Sequence, residues 1–172
     1  MISKDMTTAL NEQINKEIYS AYLYMGMSAF AERKGMPGIA NWLTIQTQEE
    51  LSHAQKFYQY VLRQGATVEL EMIDKPAFKG ETALELFEQV LEHEKLITAS
   101  INNLVDIAVK ERDHATEVFL QWFVNEQVEE EENACGIIDQ LKLAGPAGGG
   151  LFMIDRELAT RVYTPAAATA TA

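Results

Sequence analysis

The chain is poor in cysteine, in basic residues and in unbroken apolar runs, and each shortage closes off a class of function. Cys135 is the only thiol among 172 residues, so no intrachain disulfide, CxxC zinc ribbon or cysteine-held iron–sulfur centre can be built. Its expected role is that of a small buried hydrophobe on a helix. The 14 Lys and Arg stand against 26 Asp and Glu, a formal charge of -12 with a pI near 4.6. That balance disfavours nucleic acid or an anionic membrane surface as partner and favours cations. No segment approaches the roughly 20 uninterrupted apolar residues of a membrane span. Lys4, Asp5, Asn11, Glu12, Lys16 and Glu17 break up the amino-terminal segment too often for an export signal. A cytoplasmic protein of one domain is the expectation, since the length suffices for one sizeable core.

What the chain does have is four long stripes of apolar residues at alternating steps of four and three. They read Leu10, Ile14, Glu17, Ala21, Tyr24, Ser28, Ala31; Ile39, Leu43, Gln46, Glu50, His53, Phe57, Tyr60; Ala83, Phe87, Val90, Glu94, Ile97, Ile101, Leu104; and Thr116, Leu120, Phe123, Gln127, Glu130, Ala134, Ile137, Leu141. Residues at this spacing share one helix face. Each stripe is therefore the inner face of a helix in a bundle, and each is interrupted near its middle by a carboxylate, an amide or a histidine.

The expected fold is all-α. Helix one runs from about Lys4 to Arg33 and ends at the Gly35, Pro37, Gly38 break, and helix two continues to about Gln64. Residues 65–80 then carry no helical period, which resumes near Glu81. A helix of about 28 residues is roughly 42 Å long, and about 16 extended residues span roughly 50 Å. The link can thus travel the whole bundle, giving a four-helix bundle with one long crossover between helices two and three. Helix three ends around Lys110 to Arg112, and Asp113 caps helix four, which runs to about Ala144. After a Gly-rich break, Leu151, Ile154, Leu158 and Val162 outline a short C-terminal fifth helix. The tail, residues 164–172, is too poor in large apolar groups to pack and is expected to be disordered. A second apolar row on helix one, Ile18, Tyr22, Met25 and Ala29, needs cover either from another subunit or from the crossover with its Val68, Leu70, Met72 and Ile73.

Four glutamates at adjacent core levels would repel one another and lose most of their hydration, at several kcal/mol per ion. No Lys or Arg occupies the stripes at these levels, so metal is the natural neutraliser, and two divalent ions balance four glutamates. Carboxylate oxygens with one imidazole suit iron or manganese better than structural zinc or calcium. Glu50-x-x-His53 sets a carboxylate and an imidazole one turn apart, the unit by which di-iron carboxylate bundles hold metal. Alone it is a weak motif, often a solvated pair. Its force comes from Glu17, Glu94 and the Gln127-x-x-Glu130 pair falling on core stripes at compatible depths.

With these residues in view the chain resembles the bacterial non-haem ferritins over a ferritin-like domain at 1–163. The resemblance implies a ferroxidase centre made by Glu17, Glu50, His53, Glu94, Gln127 and Glu130. Glu17 and His53 would hold the first iron, Glu94 and Glu130 the second, and Glu50 would bridge them. Gln127 would stand beside bound oxygen or water, and Tyr24, two turns from Glu17, would either supply an electron or only satisfy its hydroxyl within the core. Glu49, Glu126 and Glu129 match a third iron site, although an acidic run of this kind is ordinarily a solvated face. The implied activity is oxidation of Fe(II) to Fe(III) by dioxygen or hydrogen peroxide and storage of ferric mineral within a homo-oligomeric shell of twenty-four subunits. Haem is not expected, because the haem-containing bacterioferritins repeat a Glu-x-x-His on helix four and carry a Met where this chain has Ser52. The rubrerythrin-like proteins, which want two such motifs and an iron–cysteine domain, fit no better. His93 and His114 lie off the stripes and are expected to be exposed, Trp122 to be packing, and Glu117 to be a candidate for an entry channel. The rival function is a discrete di-iron oxidase or peroxidase acting on an organic substrate. It would need a substrate pocket and an electron donor, neither of which the sequence shows. A metal-free structural bundle is disfavoured by the stacked carboxylates.

Overall fold

Helix starts in this chain fall where a side chain or a proline can relieve the first-turn N–H groups. In a computed structural model, which describes residues 2–145 and 148–164, the helices are α1 (Lys4–Arg33), α2 (Pro37–Arg63), α3 (Ala83–Glu111), α4 (His114–Ala144) and α5 (Gly148–Leu158). Ser3 accepts from the Met6 N–H at 3.0 Å to cap α1, and Asp113 accepts from Thr116 at 3.1 Å to cap α4. Proline opens α2, where a missing N–H costs nothing. The third helix begins two residues later than periodicity suggests. Thr82 and Glu85 form a reciprocal capping box there, which fixes the start at Ala83.

The connection between α2 and α3 runs the full length of α1. Asn11 donates to the Thr67 carbonyl at 3.0 Å and accepts from the Glu69 N–H at 3.1 Å. One turn on, Asn15 donates to the Glu71 and Met72 carbonyls at 3.3 and 3.2 Å. Pro76 then lies beside Gly26, and Glu81 pairs with Lys34 at 2.9 Å beyond the other end of α1. The start of α3 is thus brought beside the start of α2, and the bundle has the expected long crossover. The crossover covers the second row of α1 only in part: Ile18 and Val68 are partly buried, whereas Tyr22 and Met25 stay about half exposed, and Leu70 and Met72 are also exposed.

Every apolar and polar member of the α2, α3 and α4 stripes is buried, as are all of the α1 stripe except Ser28. The apolar core is nonetheless in two pieces. One cluster, around Met27, Leu43, Phe87, Ile137 and Leu158, fills the end where α5 packs. The other, around Leu10, Phe57, Ile101 and Phe123, fills the opposite end. Between them lies a polar layer containing Glu17, Gln46, Glu50, His53, Glu94, Gln127 and Glu130, all buried.

The fifth helix is shorter than its apolar pattern suggests, ending at Leu158 with Val162 exposed beyond it. Tighter turn bonds replace the helical ladder there, from Thr160 N–H to the Glu157 carbonyl and from Arg161 N–H to the Leu158 carbonyl, and the Asn41 amide holds the chain onto α2 through the carbonyls of Leu158, Ala159 and Arg161 at 3.3, 3.4 and 3.0 Å. The tail expected to be disordered falls, apart from Thr164, outside the described residues.

The docking of α5 depends on the absence of a side chain at Gly38. A Cβ there would sit 1.6 Å from the Asp155 carbonyl oxygen. Gly38→Ala is expected to lower stability by about 1–3 kcal/mol, the usual cost of overpacking, read as a lower denaturation midpoint. Gly136→Ala, on an exposed stretch of α4 with nothing of the chain within 4 Å of the new methyl, should raise it by up to about 1 kcal/mol.

Candidate metal centre

The polar layer is assembled from the middle of all four long helices. From α1 and α2, Glu17, Glu50 and His53 each offer one ligand atom within 4.8 Å of the others, and all three are buried. His53 Nδ1 stands 3.5 Å from Glu50 Oε2, and its Nε2 stands 3.8 Å from Glu126 Oε1. On the other side are Glu94 from α3 and Gln127 and Glu130 from α4. The Tyr24 hydroxyl donates to Glu94 Oε1. The Gln127 amide nitrogen lies 3.2 Å from Glu94 Oε2, 3.3 Å from the Glu94 carbonyl and 3.3 Å from the Thr98 hydroxyl. Gln127 thus braces Glu94 through its donor end.

Two buried amides that sequence reasoning did not assign to the site orient its outer carboxylates. Gln13 donates to Glu17 Oε1 at 2.8 Å, and its own oxygen accepts from Ser100, which in turn accepts from Lys16 at 2.7 Å. Gln46 donates to Glu130 Oε2 at 2.7 Å, and its oxygen accepts from the Arg161 guanidinium at 2.8 Å. The i,i+4 spacing of Gln13 and Glu17 was a usable signal for the first. For the second, Gln46 lay in plain view on the core stripe of α2. In both cases the amide aims a carboxylate while a cation stays further out, directly behind the amide for Arg161 and beyond Ser100 for Lys16.

One atom is left without a partner. Glu17 Oε2 is, among the described residues, the buried side-chain oxygen or nitrogen that no hydrogen bond satisfies. It belongs to the same trio of Glu17, Glu50 and His53. A buried carboxylate oxygen left open in this way costs desolvation unless a ligand supplies the missing charge, so the donor set fits a hard divalent cation.

Burial, and then the neighbouring carboxylates, push the carboxyls of Glu17, Glu94 and Glu130 up to about 8, and Glu50 is raised for the same reasons. Burial works to lower His53, but the carboxylates of Glu126, Glu50 and Glu17 outweigh it and hold the imidazole well above its usual value. Without a metal, the layer keeps protons that it would surrender to one.

The outlying acids divide. Glu49 is mostly buried beside Arg161, one turn of α2 before His53, and Glu126 leans on His53. Glu129 is exposed and joins no contact of the layer.

A family model for the ferritin-like domain matches residues 7–144. The chain belongs to the ferritin family. It is 45% identical over 161 residues to the bacterial non-heme ferritin of Bacteroides fragilis (strain 638R), covering 94% of this chain and all of that one. The Campylobacter jejuni bacterial non-heme ferritin is 41% identical over 156 residues, 91% of this chain and 93% of its own. Among solved structures, the open pore ferritin of the hyperthermophilic archaeon Archaeoglobus fulgidus superposes with a TM-score of 0.93 at 44% identity, covering 94% of this chain and 100% of that one.

Two expectations about side chains of this ferritin-family chain are corrected by the structure. His93 is not exposed: it is half-buried between α1 and α3, 2.7 Å from the Ser20 hydroxyl and edge-on to Tyr24, and burial lowers its ring to about 4. Cys135 is not buried. It is exposed and lines a 460 Å³ groove between α3 and α4 with Thr98, Gln127 and Glu131. His114 is exposed as expected, and Trp122 packs on Phe123 and His53. No helix among the described residues is long and apolar enough to cross a membrane.

The raised carboxyls fix the sign of a pH effect. Above about pH 4.5 the folded metal-free chain holds protons on Glu17, Glu94 and Glu130 that the unfolded chain has lost, and above about 6.5 it does so at His53 as well. Stability therefore falls as pH rises towards and through about 8. Denaturant titrations of metal-free protein should give a lower midpoint at about pH 9 than at about pH 6, with the difference shrinking in Glu17→Gln. An unchanged or rising midpoint would refute the assignment.

Proposed function

We propose that this chain is the subunit of a cytoplasmic iron-storage cage, and that its polar layer is a ferroxidase centre. The observation that carries the reading is the open Glu17 Oε2 in a trio with Glu50 and His53, facing Glu94 and Glu130 across the same buried layer. In this reading Fe(II) is the substrate. Glu17 and His53 take one ion, Glu94 and Glu130 the other, and Glu50 spans the two. Entry of two divalent ions displaces the protons that the layer holds, which offsets the cost of keeping four carboxylates out of water. Each Fe(II) gives up one electron, and dioxygen or hydrogen peroxide accepts the pair. Anionic oxygen donors favour the product because the higher charge of Fe(III) gains more from them. Hydrolysis of the ferric product releases further protons and yields mineral within the shell.

The other residues have supporting parts. Gln127 and Tyr24 hold Glu94 from two directions and place an amide and a phenol beside the reacting ions. Glu49 and Glu126 are the acids available to a third site, with Glu126 nearest to the centre, whereas the exposed Glu129 stands apart from them. The exposed Tyr22, Met25, Leu70 and Met72 give each subunit an apolar surface that a homo-oligomeric shell would cover. Membership of the ferritin family supports both parts of the proposal.

Aerobic addition of many Fe(II) equivalents per chain, followed by sedimentation with ferric absorbance, tests the reading. The expected result is a large particle that grows denser as iron co-sediments. A small species that stops near two ions per chain would point instead to a discrete di-iron oxidase. Glu50→Ala with Glu94→Ala should slow initial ferric formation by more than the about 10–100-fold that loss of an outer partner costs a metal site. A double variant that oxidises iron at the original rate sinks the assignment.

A further inference from the structure

Beyond the end of α5 the chain delivers a cation to the rim of the polar layer. Arg161 Nη1 donates to Gln46 Oε1 at 2.8 Å and to the Trp42 carbonyl at 3.4 Å, and Nη2 donates to the Glu49 carboxylate. The guanidinium lies over the Trp42 ring, 4.6 Å from its centroid. Its own backbone carbonyl is held by Asn41 at 3.0 Å. The Arg161 and Glu49 side chains are only 22% and 21% exposed, so the ion pair is largely withdrawn from water and the charge is held in one place.

We infer that Arg161 is a resident cation that occupies the place of a third metal ion at Glu49, and that it sets how many ions each subunit binds. The inference rests on the two-ion reading above. Glu49 precedes the candidate bridging ligand Glu50 in the chain and stands one turn of α2 before His53, whose Nε2 lies 3.8 Å from Glu126 Oε1, so a divalent ion bound by Glu49 and Glu126 would need the carboxylate that Arg161 now takes. The guanidinium holds one oxygen of that carboxylate, and its positive charge opposes an entering divalent ion at the other. Arg161 also fixes the Gln46 amide with its oxygen outward and its nitrogen on Glu130. Displacement of the guanidinium by a third ion would thus be felt at Glu130 through a single side chain. Arg161 is a positioning residue in this scheme and touches neither candidate ion of the pair.

The test is an anaerobic titration of the assembled, metal-free, full-length protein with Co(II), read by its visible absorption and by calorimetry. Two equivalents per chain should bind first in the unaltered protein, with a third binding weakly. In Arg161→Gln the third equivalent should tighten by about tenfold, the scale of one charge-assisted hydrogen bond, and should bring new absorption. Arg161→Lys should restore the original behaviour, and adding Glu49→Gln to Arg161→Gln should erase the gain. Arg161→Met keeps the aliphatic stem on Trp42 and should behave as Arg161→Gln does, which guards against a loss of α5 docking. A third equivalent that binds no more tightly in both charge-free variants overturns the inference and leaves Arg161 a mere staple. Failure of the two-ion reading shows elsewhere in the same titration, as first and second equivalents indifferent to Glu17→Gln.

Discussion

The withdrawal of four carboxylates from water at one level of a helical bundle is the constraint on which the remaining structure depends. Glu17, Glu50, Glu94 and Glu130 are each 5% exposed or less, and within the layer His53 is the only side chain able to carry a compensating charge. Such a layer is unfavourable on its own terms. The fold answers in three ways: it lets the carboxyls keep protons, it surrounds them with amide and phenol donors, and it leaves one oxygen open. The first two make the layer tolerable without a metal, and the third makes it receptive to one.

The choice of glutamine for the neighbouring positions follows from the same constraint. A buried Lys or Arg beside Glu17 or Glu130 would neutralise the carboxylate and compete with any entering ion. An amide aims the oxygen and leaves its charge available. Arg161 sits one hydrogen-bonded group further out, behind Gln46, and Lys16 two, behind Ser100 and Gln13, where neither cancels the field inside. At Glu49 an arginine touches an acid of the candidate cluster directly.

Much of this was legible in the sequence because helical periodicity converts spacing into facing. A glutamate at a core position of a long stripe must point inward, and four such positions at matching depth specify a common layer before any coordinates exist. The crossover was equally readable, since residues 65–80 lack a period and are long enough to span the bundle. The errors lie where a helix flank, rather than its face, meets a neighbour. His93 stands one residue off the α3 stripe and is partly covered because Tyr19 and Ser20 of α1 lie against it. Cys135 stands one residue past Ala134 and points away from the core. Arg161 could not be placed at all, because its position depends on where Asn41 catches three carbonyls after α5 has ended. No periodic signal reaches across such a turn.

The polar layer also divides the apolar core into two clusters that lie at opposite ends of the bundle. Cohesion at each end is supplied by its own aliphatic and aromatic packing, so the two ends are held without help from the layer, whose side chains depend instead on the amides and phenol around them. Substitutions in the central layer can alter which ions it holds and how they react while both hydrophobic ends remain intact. A scaffold partitioned in this way is evolvable: its chemistry can be rewritten without its shape being renegotiated.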